Sequence, residues 1–402
     1  MKPLIGEVEI VTLPASGLAA LLQKAAADPD PANMYMQLYY CLQVLGQHDF
    51  SLEMQGRALE RRRTYRIVEP ANPLVRLLAL VTQGDARQNA PLEYVVHASD
   101  IRLDLLYLLP GENLPESLPE HDIAIVAMHE SEANHRLLVE LDALLVHWPR
   151  PVLNRPLNIA CCARDCLCSR LRGLPGLIVP ETKRRTRSGL ADIAYPAIIR
   201  PIDAHAGQGL SRLAQEGDLV EYLAQHQDAE FFLADYVDYR SSDGLFRKFR
   251  IALIAGYPYL CHLAIGSDWI VHYLSAGMQD SESKRLEEER QMASFEEDFL
   301  SRHGDVLGEI AQRLGLEYVV LDCGESPDGR LVLFEADIAS WIHATDPLDL
   351  YPYKPANMRK AFSAFRKMLL DAIEAHGSRA RPTRAFLGGA PDRPGMPASP
   401  QV

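Results

Sequence analysis

The sequence predicts a fold that mixes α/β and α+β architecture, with a helical segment ahead of it. Residues 15–27 are an Ala- and Leu-rich stretch with the spacing of an amphipathic helix. Between 74 and 153, short apolar runs alternate with a helical segment, which is typical of a parallel sheet. From 156 to about 377 the apolar runs are longer and favour antiparallel strand pairs with helices between them.

These changes of pattern give the predicted domain boundaries. A helical segment covers 1–70, an α/β domain covers 71–155, and the largest domain covers 156–378. The last segment, 379–402, is rich in Pro, Gly and Ala and is expected to be a disordered tail.

The composition excludes several classes of protein. The net charge is −13, so a nucleic-acid partner, which needs a concentrated cationic surface, is not expected. No apolar run reaches the roughly 18 residues that cross a bilayer, and the first residues do not resemble a signal peptide, so no membrane partner is expected. The seven cysteines are interpreted as reduced thiols, which predicts a cytoplasmic location.

Two further segments of the first domain predict an antiparallel helix pair. They are MYMQLYYCLQVLG, which ends at Gly46, and HDFSLEMQGRALERRR. The pattern resembles a tetratricopeptide-type hairpin. Such repeats usually need about three copies for independent stability, so this hairpin is expected to dock onto the rest of the protein. Its role is either a structural cap or a surface that recruits a peptide.

The α/β domain has four predicted strands and one predicted helix. The strands are PLVRLLALV, IRLDLLYLL, HDIAIVAM and PVLN, and the helix is ESEANHRLLVELDALLVHW. No Gly-x-Gly-x-x-Gly motif follows the first strand, so a dinucleotide is not expected here.

The largest domain has six predicted strands. They are YPAIIRPI, EFFLADYVD, KFRIALIAG, YPYLCHLAI, EYVVLDCG and RLVLFEADI. The SPDG segment predicts a hairpin turn between the last two. Helices are expected around 282–314 and 356–376.

A glycine-containing loop follows the first of these strands. The strand ends at Arg200, and the loop contains His205, Gly207, Gln208 and Gly209. Glycines let backbone amides approach a phosphate closely, and an arginine can hold its oxygens. The alternative is an ordinary hairpin loop.

Three carboxylates fall on the last two strands. Glu335 and Asp337 are two residues apart and point to one face, and the hairpin register can bring Asp322 beside them. Such a group repels itself unless a cation lies between its members, and Mg²⁺ prefers these oxygen ligands. The alternative is a solvated face at the edge of a sheet.

Single residues elsewhere have two interpretations each. Arg250 opens an apolar strand and either neutralises an anionic substrate or is a surface residue. His272 is either a functional residue or a structural histidine. The aromatic residues and Lys354 of the DPLDLYPYK segment either shape an acceptor pocket or pack the next helix.

The cysteines of the CCxxxCxC segment are considered separately. Cys161, Cys162, Cys166 and Cys168 lack the paired spacing of common zinc sites. We interpret them as small buried thiols, with a metal or redox role as the alternative.

Taken in their order along the chain, the motifs between about 150 and 375 resemble those of the ATP-grasp superfamily, with features of its glutathione synthetase-like and peptide–glutamate-ligase-like branch. The resemblance implies an ATP-grasp fold, in which two antiparallel-sheet lobes surround a nucleotide, behind a pre-ATP-grasp α/β domain. It implies that a hinge reads adenine, that the glycine loop covers the phosphates, and that the carboxylates hold the metal. The residues it assigns to nucleotide binding are Arg200, His205, Gly207, Gln208, Gly209, Asp235, Tyr236 and Val237; to the metal, Asp322, Glu335 and Asp337; and to catalysis, Arg250, Arg200 and His272.

The chain departs from the family pattern at four positions. Arg200 stands where a Lys is usual before the loop, and Cys166 stands where another Lys is expected. Asp337 replaces the usual Asn of the metal set, and His272 lies where Asn often precedes a Gly-Gly pair.

The resemblance implies a carboxylate–amine ligase that uses ATP and Mg²⁺, with Mn²⁺ as an alternative metal. A substrate carboxylate would take the γ-phosphate of ATP, and an amine would then displace phosphate to form an amide. Arg200 and Arg250 would offset the charge of the transferring group, and His262 or His272 would orient a substrate.

The substrate is expected to be a small molecule or a peptide. A peptide or protein partner on the N-terminal helices and a homodimer are further expectations. Two other functions remain open at this point: a kinase on the same fold that phosphorylates a small polar acceptor, and a non-catalytic nucleotide-binding interaction module.

Overall fold

The computed structural model describes residues 29–380, except 203, 205, 206 and 274 and the side chains of 378–380. The predicted helix at 15–27 and the predicted tail beyond 380 lie outside the described residues. Residues 379 and 380, which the sequence assigned to the tail, are the last residues of a helix. The predicted fold class is confirmed, because a sheet with parallel strands comes first and two largely antiparallel sheets follow.

The elements follow in chain order. The helices are α1 (Ala32–Val44), α2 (His48–Leu59), α3 (Leu92–Val95), α4 (Glu132–Leu145), α5 (Pro156–Ala160), α6 (Arg164–Arg170), α7 (Glu216–Gln225), α8 (Glu282–Ala293), α9 (Leu300–Leu314) and α10 (Lys354–Ala380), with a π-helical turn at Phe295–Phe299. The strands are β1 (Thr64–Val68), β2 (Val75–Thr82), β3 (Ile101–Leu108), β4 (Ile123–Val126), β5 (Val152–Leu153), β6 (Leu177–Ile178), β7 (Thr182–Thr186), β8 (Ala197–Pro201), β9 (Ser211–Leu213), β10 (Glu230–Asp235), β11 (Phe246–Ile254), β12 (Tyr257–Gly266), β13 (Tyr318–Glu325) and β14 (Leu331–Asp337).

The first sheet has the strand order β1-β3-β2-β4-β5. Strands β3, β2, β4 and β5 are parallel, as their continuous apolar runs predict. β1 is antiparallel to β3 and begins at Thr64, inside the segment that was predicted to be helical. Its alternating pattern, with Tyr65 and Ile67 buried, is that of a strand and was missed.

The helix pair α1–α2 packs on this sheet. Gly46 joins the two helices with a φ of +70°, a conformation that glycine adopts without strain. Buried Met36, Leu42 and Met54 belong to the same apolar core as Leu77 of β2. The predicted docking of the hairpin is therefore confirmed, while its tetratricopeptide character stays a prediction.

The second sheet is small and has the order β7-β10-β8-β9, with every pair antiparallel. Its core is separate from the others and consists of Leu190, Ile199, Leu213, Leu219, Tyr222 and Phe231.

The third sheet has the order β12-β11-β13-β14-β6 and is antiparallel except for the short edge strand β6. The predicted hairpin turn joins β13 to β14, and the Ser326 amide donates to the Arg330 carbonyl at 2.9 Å. Leu253 of this sheet and Leu78 of the first sheet lie in one continuous core.

Asn154, a fully buried residue after β5, connects the first and third sheets directly. Its Nδ2 donates to the Tyr318 carbonyl at 2.8 Å, and the Tyr318 amide donates to its Oδ1 at 3.0 Å. The side-chain amide thus pairs with β13 as a strand backbone would. Because the two sheets share this contact and their cores, they form one body that supports the small sheet.

Two further observations concern the cysteines and the helices. All seven cysteines are free thiols, as predicted. In the CCxxxCxC segment, Cys162 and Cys168 are buried and Cys161 is partly buried, but Cys166 is exposed, so the interpretation as a buried thiol is wrong for Cys166. In the described part of the chain, no helix has both the length and the apolar character that a membrane crossing requires.

Candidate functional site

A cavity of about 940 Å³ lies between the second and third sheets, and loops of the first sheet close one side of it. Cavities of this size accommodate a cofactor or substrate of nucleotide size. Its apolar lining comes from both sheets and includes Ile198 and Phe232 on one side and Leu333 and Phe334 on the other. The predicted site residues can therefore be placed relative to a single space.

The predicted hinge residues Asp235, Tyr236 and Val237 line this cavity at the end of β10. The amide of Asp235 donates to the Glu181 carbonyl and that of Tyr236 to the Pro196 carbonyl, both at 3.3 Å. The segment is thereby fixed at the border of the small sheet. Its contact with adenine stays a prediction.

Arg200 is a buried cation on β8, and not all of its hydrogen-bond donors have an acceptor in the described part of the chain. It lies opposite Phe232 in the sheet register, lines the cavity and is 7% exposed. One of its terminal nitrogens donates to the Ala204 carbonyl, whereas its Nε has no hydrogen-bond partner among the described residues. Burial, and secondly the nearby charge of Arg164, lower the pKa of Arg200 to about 10. At neutral pH this leaves a charged group that an anion in the cavity would satisfy.

Arg164 is a second cavity cation, which the sequence analysis missed. It is the first residue of α6, and its Nη2 donates to Glu335 Oε1 at 2.5 Å. Cys166, where a Lys was expected, is exposed. A basic residue beside Asp165 was the available signal, but the partner lies 171 positions away in sequence.

Three strands place a cation and two acids side by side on one face of the third sheet. Arg250 of β11 lies opposite Asp322 of β13, which lies opposite Glu335 of β14. Arg250 donates to both Asp322 oxygens, at 2.8 and 3.0 Å, and Lys248 donates to one of them at 3.0 Å. Burial raises the pKa of Asp322, but the charges of Arg250 and Lys248 outweigh it and hold that pKa well below its usual range.

Asp337, at the end of β14, pairs with His129, another residue that the sequence analysis missed. The His129 Nδ1 to Asp337 Oδ1 distance is 2.7 Å, and the Ala339 amide donates to the same oxygen at 2.9 Å. Burial lowers the pKa of His129, but the charge of Asp337 prevails and raises it to about 9. His129 follows β4, and the carboxyl end of a parallel strand is a common place for functional residues, so a signal was present.

The first sheet contributes two further lining residues, Arg87 and Tyr94. The Tyr94 ring lies 5.4 Å from the ring of Trp341, measured between centroids. Arg250 Nη1 donates to the Trp341 carbonyl at 3.0 Å, which ties the loop after β14 to the third sheet. These contacts make an aromatic wall beside the charged face.

The three predicted metal ligands all line the cavity, but they differ in how well they fit a metal ion. Both oxygens of Asp322 accept from cations, so Asp322 does not fit direct coordination in this arrangement. Glu335 and Asp337 offer the hard oxygen donors that Mg²⁺ takes, and each is paired with one cationic side chain. Across the described stretches of 29–380, no group of three or more His, Cys, Asp or Glu side chains is positioned to hold a metal ion.

The glycine loop and His272 approach each other across the cavity rim. Gly207 and His272 both line the cavity, and a Cβ added to Gly207 would lie 2.5 Å from His272 Nε2. Gln208 is exposed. Gly209 packs closely on Pro201, because a Cβ added to Gly209 would lie 2.7 Å from Pro201 Cδ. The predicted ligand His205 lies outside the described residues.

Comparison with known proteins finds similarity in three dimensions only. No family model and no curated protein matches the sequence. D-alanine–D-alanine ligase from Bacillus anthracis, solved with ATP, matches with 12% identity, covers 76% of this chain and 99% of its own, and has a TM-score of 0.47. VanG D-Ala:D-Ser ligase from Enterococcus faecalis matches with 14% identity, 75% and 99% coverage and a TM-score of 0.44. An ATP-grasp RimK domain protein from Sphaerobacter thermophilus matches with 17% identity, 74% and 99% coverage and a TM-score of 0.41.

Proposed function

We propose that this chain is an ATP-dependent ligase that joins a carboxylate to an amine through an acylphosphate. The observation that carries the proposal is the buried guanidinium of Arg200, whose Nε has no partner among the described residues and which lies near Arg164 on the cavity. Glu335 offsets part of the positive charge by pairing with Arg164, but the Arg200 Nε–H stays without an acceptor among the described residues, and a phosphate matches such planar guanidinium donors.

The cavity lining suggests how ATP would lie. The base would occupy the apolar part between the sheets, next to the hinge, and the phosphates would lie toward Arg200, Arg164 and Arg250. Glu335 and Asp337 would hold Mg²⁺, which supplies positive charge at the phosphates when it is bound.

The acids of the site favour a carboxylate over a hydroxyl as the first nucleophile. Asp322, Glu335 and Asp337 are each paired with a cation, and ion pairing holds the pKa of Asp322 and of Asp337 below its usual range. Acids in this state are poor general bases, and a hydroxyl needs a base to attack phosphorus. A carboxylate is already an anion and needs none.

The two steps then balance without a protein base. A carboxylate oxygen attacks the γ-phosphorus, the bond to the β-phosphate oxygen breaks, and ADP leaves. Arg200 and Arg250 face the negative charge that this step redistributes. The amine nitrogen then attacks the acyl carbon, the bond from that carbon to the phosphate oxygen breaks, and the departing phosphate takes the amine proton.

The acylphosphate has to be kept from water. Gly207 brings its loop against His272 on the other side of the cavity, and the small sheet has its own core, so it can close as a unit. Closure of this kind excludes water and positions the phosphates.

The direct test is ADP formation with Mg²⁺ across pairs of carboxylates and amines. We expect ADP and free phosphate in equal amounts only when both substrates are present, with a product joined by an amide. A phosphorylated acceptor without free phosphate would indicate the kinase instead. Nucleotide binding with no turnover across the panel would indicate the interaction module.

Glu335→Gln is expected to abolish ADP formation, by roughly a thousandfold or more, because it removes the charge that would hold Mg²⁺. The half-exposed position predicts little loss of stability, so thermal unfolding of the variant should match the wild type. Glu309→Gln, an exposed change on α9, is the control. Full activity of Glu335→Gln would refute its role in metal binding.

The surroundings of the reaction stay proposals as well. They include a small-molecule or peptide substrate, a peptide or protein partner on the α1–α2 hairpin, a homodimer and a cytoplasmic location.

A further inference from the structure

A buried lysine lies directly behind the cavity wall. Lys354, the first residue of α10, is 1% exposed, and its Nζ lies 3.1 Å from Asp346 Oδ2 and 3.3 Å from Glu288 Oε1. Nζ also contacts the hydroxyl of Tyr273, a cavity residue. The Lys354 ammonium thus lies in a buried cluster of charged and polar side chains. Because burying such a group costs more than an apolar cluster of the same volume, a role beyond packing is expected.

Lys354 also determines which nitrogen of His262 carries the proton. His262 lies on β12 and lines the cavity, and Lys354 Nζ is 3.1 Å from its Nδ1. An ammonium has only donors, so Nδ1 has to accept and cannot carry a hydrogen. The proton of the neutral ring is therefore on Nε2. Among the described residues, the contact at Nδ1 is the only hydrogen bond to this ring, so the Nε2–H group remains for a ligand.

The groups around the ring keep it uncharged. Arg250 faces it from β11, His343 lies 5.1 Å away between ring centroids, and Lys354 faces it from α10. Burial first, and then the charges of Lys354, His343 and Arg250, hold the pKa of His262 well below its usual range, against a weaker opposite effect of Asp322. At neutral pH the ring has one hydrogen and no net charge.

We infer that Lys354 is a positioning residue that holds His262 as its uncharged Nε2–H tautomer, so that His262 donates a hydrogen bond to a carboxylate oxygen of the substrate. The inference rests on the proposed function for the presence of that carboxylate. It assigns His262 to substrate orientation and excludes it as the base that deprotonates the amine.

The tautomer can be read in the protein without turnover. Protein labelled with ¹⁵N-histidine is examined by long-range ¹H–¹⁵N correlation at neutral pH, and the His262 signals are identified by their loss in His262→Gln. We expect a neutral ring with the proton on Nε2. A proton on Nδ1, or a charged ring, overturns the inference.

Two lysine variants test the cause. In Lys354→Met we expect the single tautomer to be lost and the ring to titrate closer to the ordinary range of histidine. Lys367→Met, which removes an exposed cation from the same helix, should leave the His262 signals unchanged. An unchanged pure tautomer in Lys354→Met would exclude Lys354 as its cause. If that variant does not fold, the wild-type spectrum still decides the tautomer.

The ligand class is tested with acetate as the simplest carboxylate. In the presence of a non-hydrolysable ATP analogue, sodium acetate should shift the His262 Nε2–H signal, and sodium chloride at equal ionic strength should not. An equal response to both salts, or none, overturns the assignment of this donor to a carboxylate. None of these NMR measurements requires turnover. Failure of the ligase assay and failure of this inference can therefore be distinguished.

Discussion

The second and third sheets both face the cavity, but they are held in place very differently. The third sheet shares its apolar cores with the first sheet. On the side that faces the cavity, Asp322 forms ion pairs with Lys248 and Arg250. The small second sheet has a separate core of six buried residues, and its outer strand β7 has no buried position. Local opening needs least free energy where few apolar contacts are lost.

This difference indicates that the second and third sheets have different roles in the site. The third sheet positions the charges before any substrate arrives, because its ion pairs fix Arg250 and Lys248 against a buried acid. To the cavity, the second sheet contributes Arg200, whose Nε has no partner among the described residues, and the loop with Gly207. We expect substitutions that remove a cation from the buried Asp322 to lower turnover and stability together. Substitutions in the second sheet should affect nucleotide binding and closure with little loss of stability.

The largest effect is expected from Arg250→Met. It leaves the buried carboxylate of Asp322 with Lys248 alone, so the free energy of unfolding should fall by about 2–4 kcal/mol, and turnover should fall by roughly a thousandfold. Arg247→Met is the matched control, because Arg247 lies on the same strand and is paired with Asp243 and Glu287. Denaturant unfolding and ADP formation measure both quantities. Equal losses in the two variants would contradict the special position of Arg250.

Arg200→Met should weaken ATP binding by about 10–100-fold, because each charge-assisted hydrogen bond contributes about 1.5–3 kcal/mol. Calorimetric titration with ATP measures this change. Arg185→Met, an exposed change in the same sheet, removes the same charge and should leave the affinity unchanged. Loss of stability in Arg200→Met as large as in Arg250→Met would erase the contrast between the sheets.

Gly207→Ala should slow turnover by roughly tenfold without weakening the third sheet. The residue has a φ of +77°, and its new Cβ would collide with His272, so the loop cannot approach as closely. Gly111→Ala has the same type of strain, at a φ of +75°, with nothing within 4 Å of the added carbon. Comparing the two separates backbone strain from the collision. Equal turnover in both would argue against closure by this loop.

The smallest effect concerns pH and a residue of α3, the short helix between β2 and β3. Burial raises the pKa of Glu93 to about 7, so the folded chain keeps a proton that the unfolded chain loses above its ordinary pKa of about 4.3. Stability from this group is present at low pH and is lost as pH rises through about 7. Since Glu93 is partly exposed, Glu93→Gln should stabilise the protein at pH 8 by only about 1–2 kcal/mol. Thermal unfolding at pH 5 and pH 8 measures it, and a gain that is equal at both pH values would refute the cause.

The sequence was informative where a local pattern determines local structure. Apolar periodicity identified β2 and β11, and the carboxylates of β14 were placed on one face by their two-residue spacing. The strand β1 was missed because its alternation follows directly on a helix.

Only part of the site could be predicted from the sequence, for a different reason. Arg164 and His129 become site residues through partners that lie 171 and 208 positions away, and no spacing rule connects such positions. The ionic state of the acids was equally hidden. The sequence gives three carboxylates, whereas the cations that neutralise Asp322 come from a strand more than seventy positions earlier.

The side chain of Asn154 has a consequence for engineering. Its side-chain amide forms two hydrogen bonds with the backbone of Tyr318, as a neighbouring strand would. The contact between the first and third sheets therefore depends partly on the identity of one side chain. A chimera that joins the first sheet of one relative to the remainder of another would have to carry this asparagine with its β13 counterpart. Otherwise a buried carbonyl and a buried amide would be left without partners at the joint.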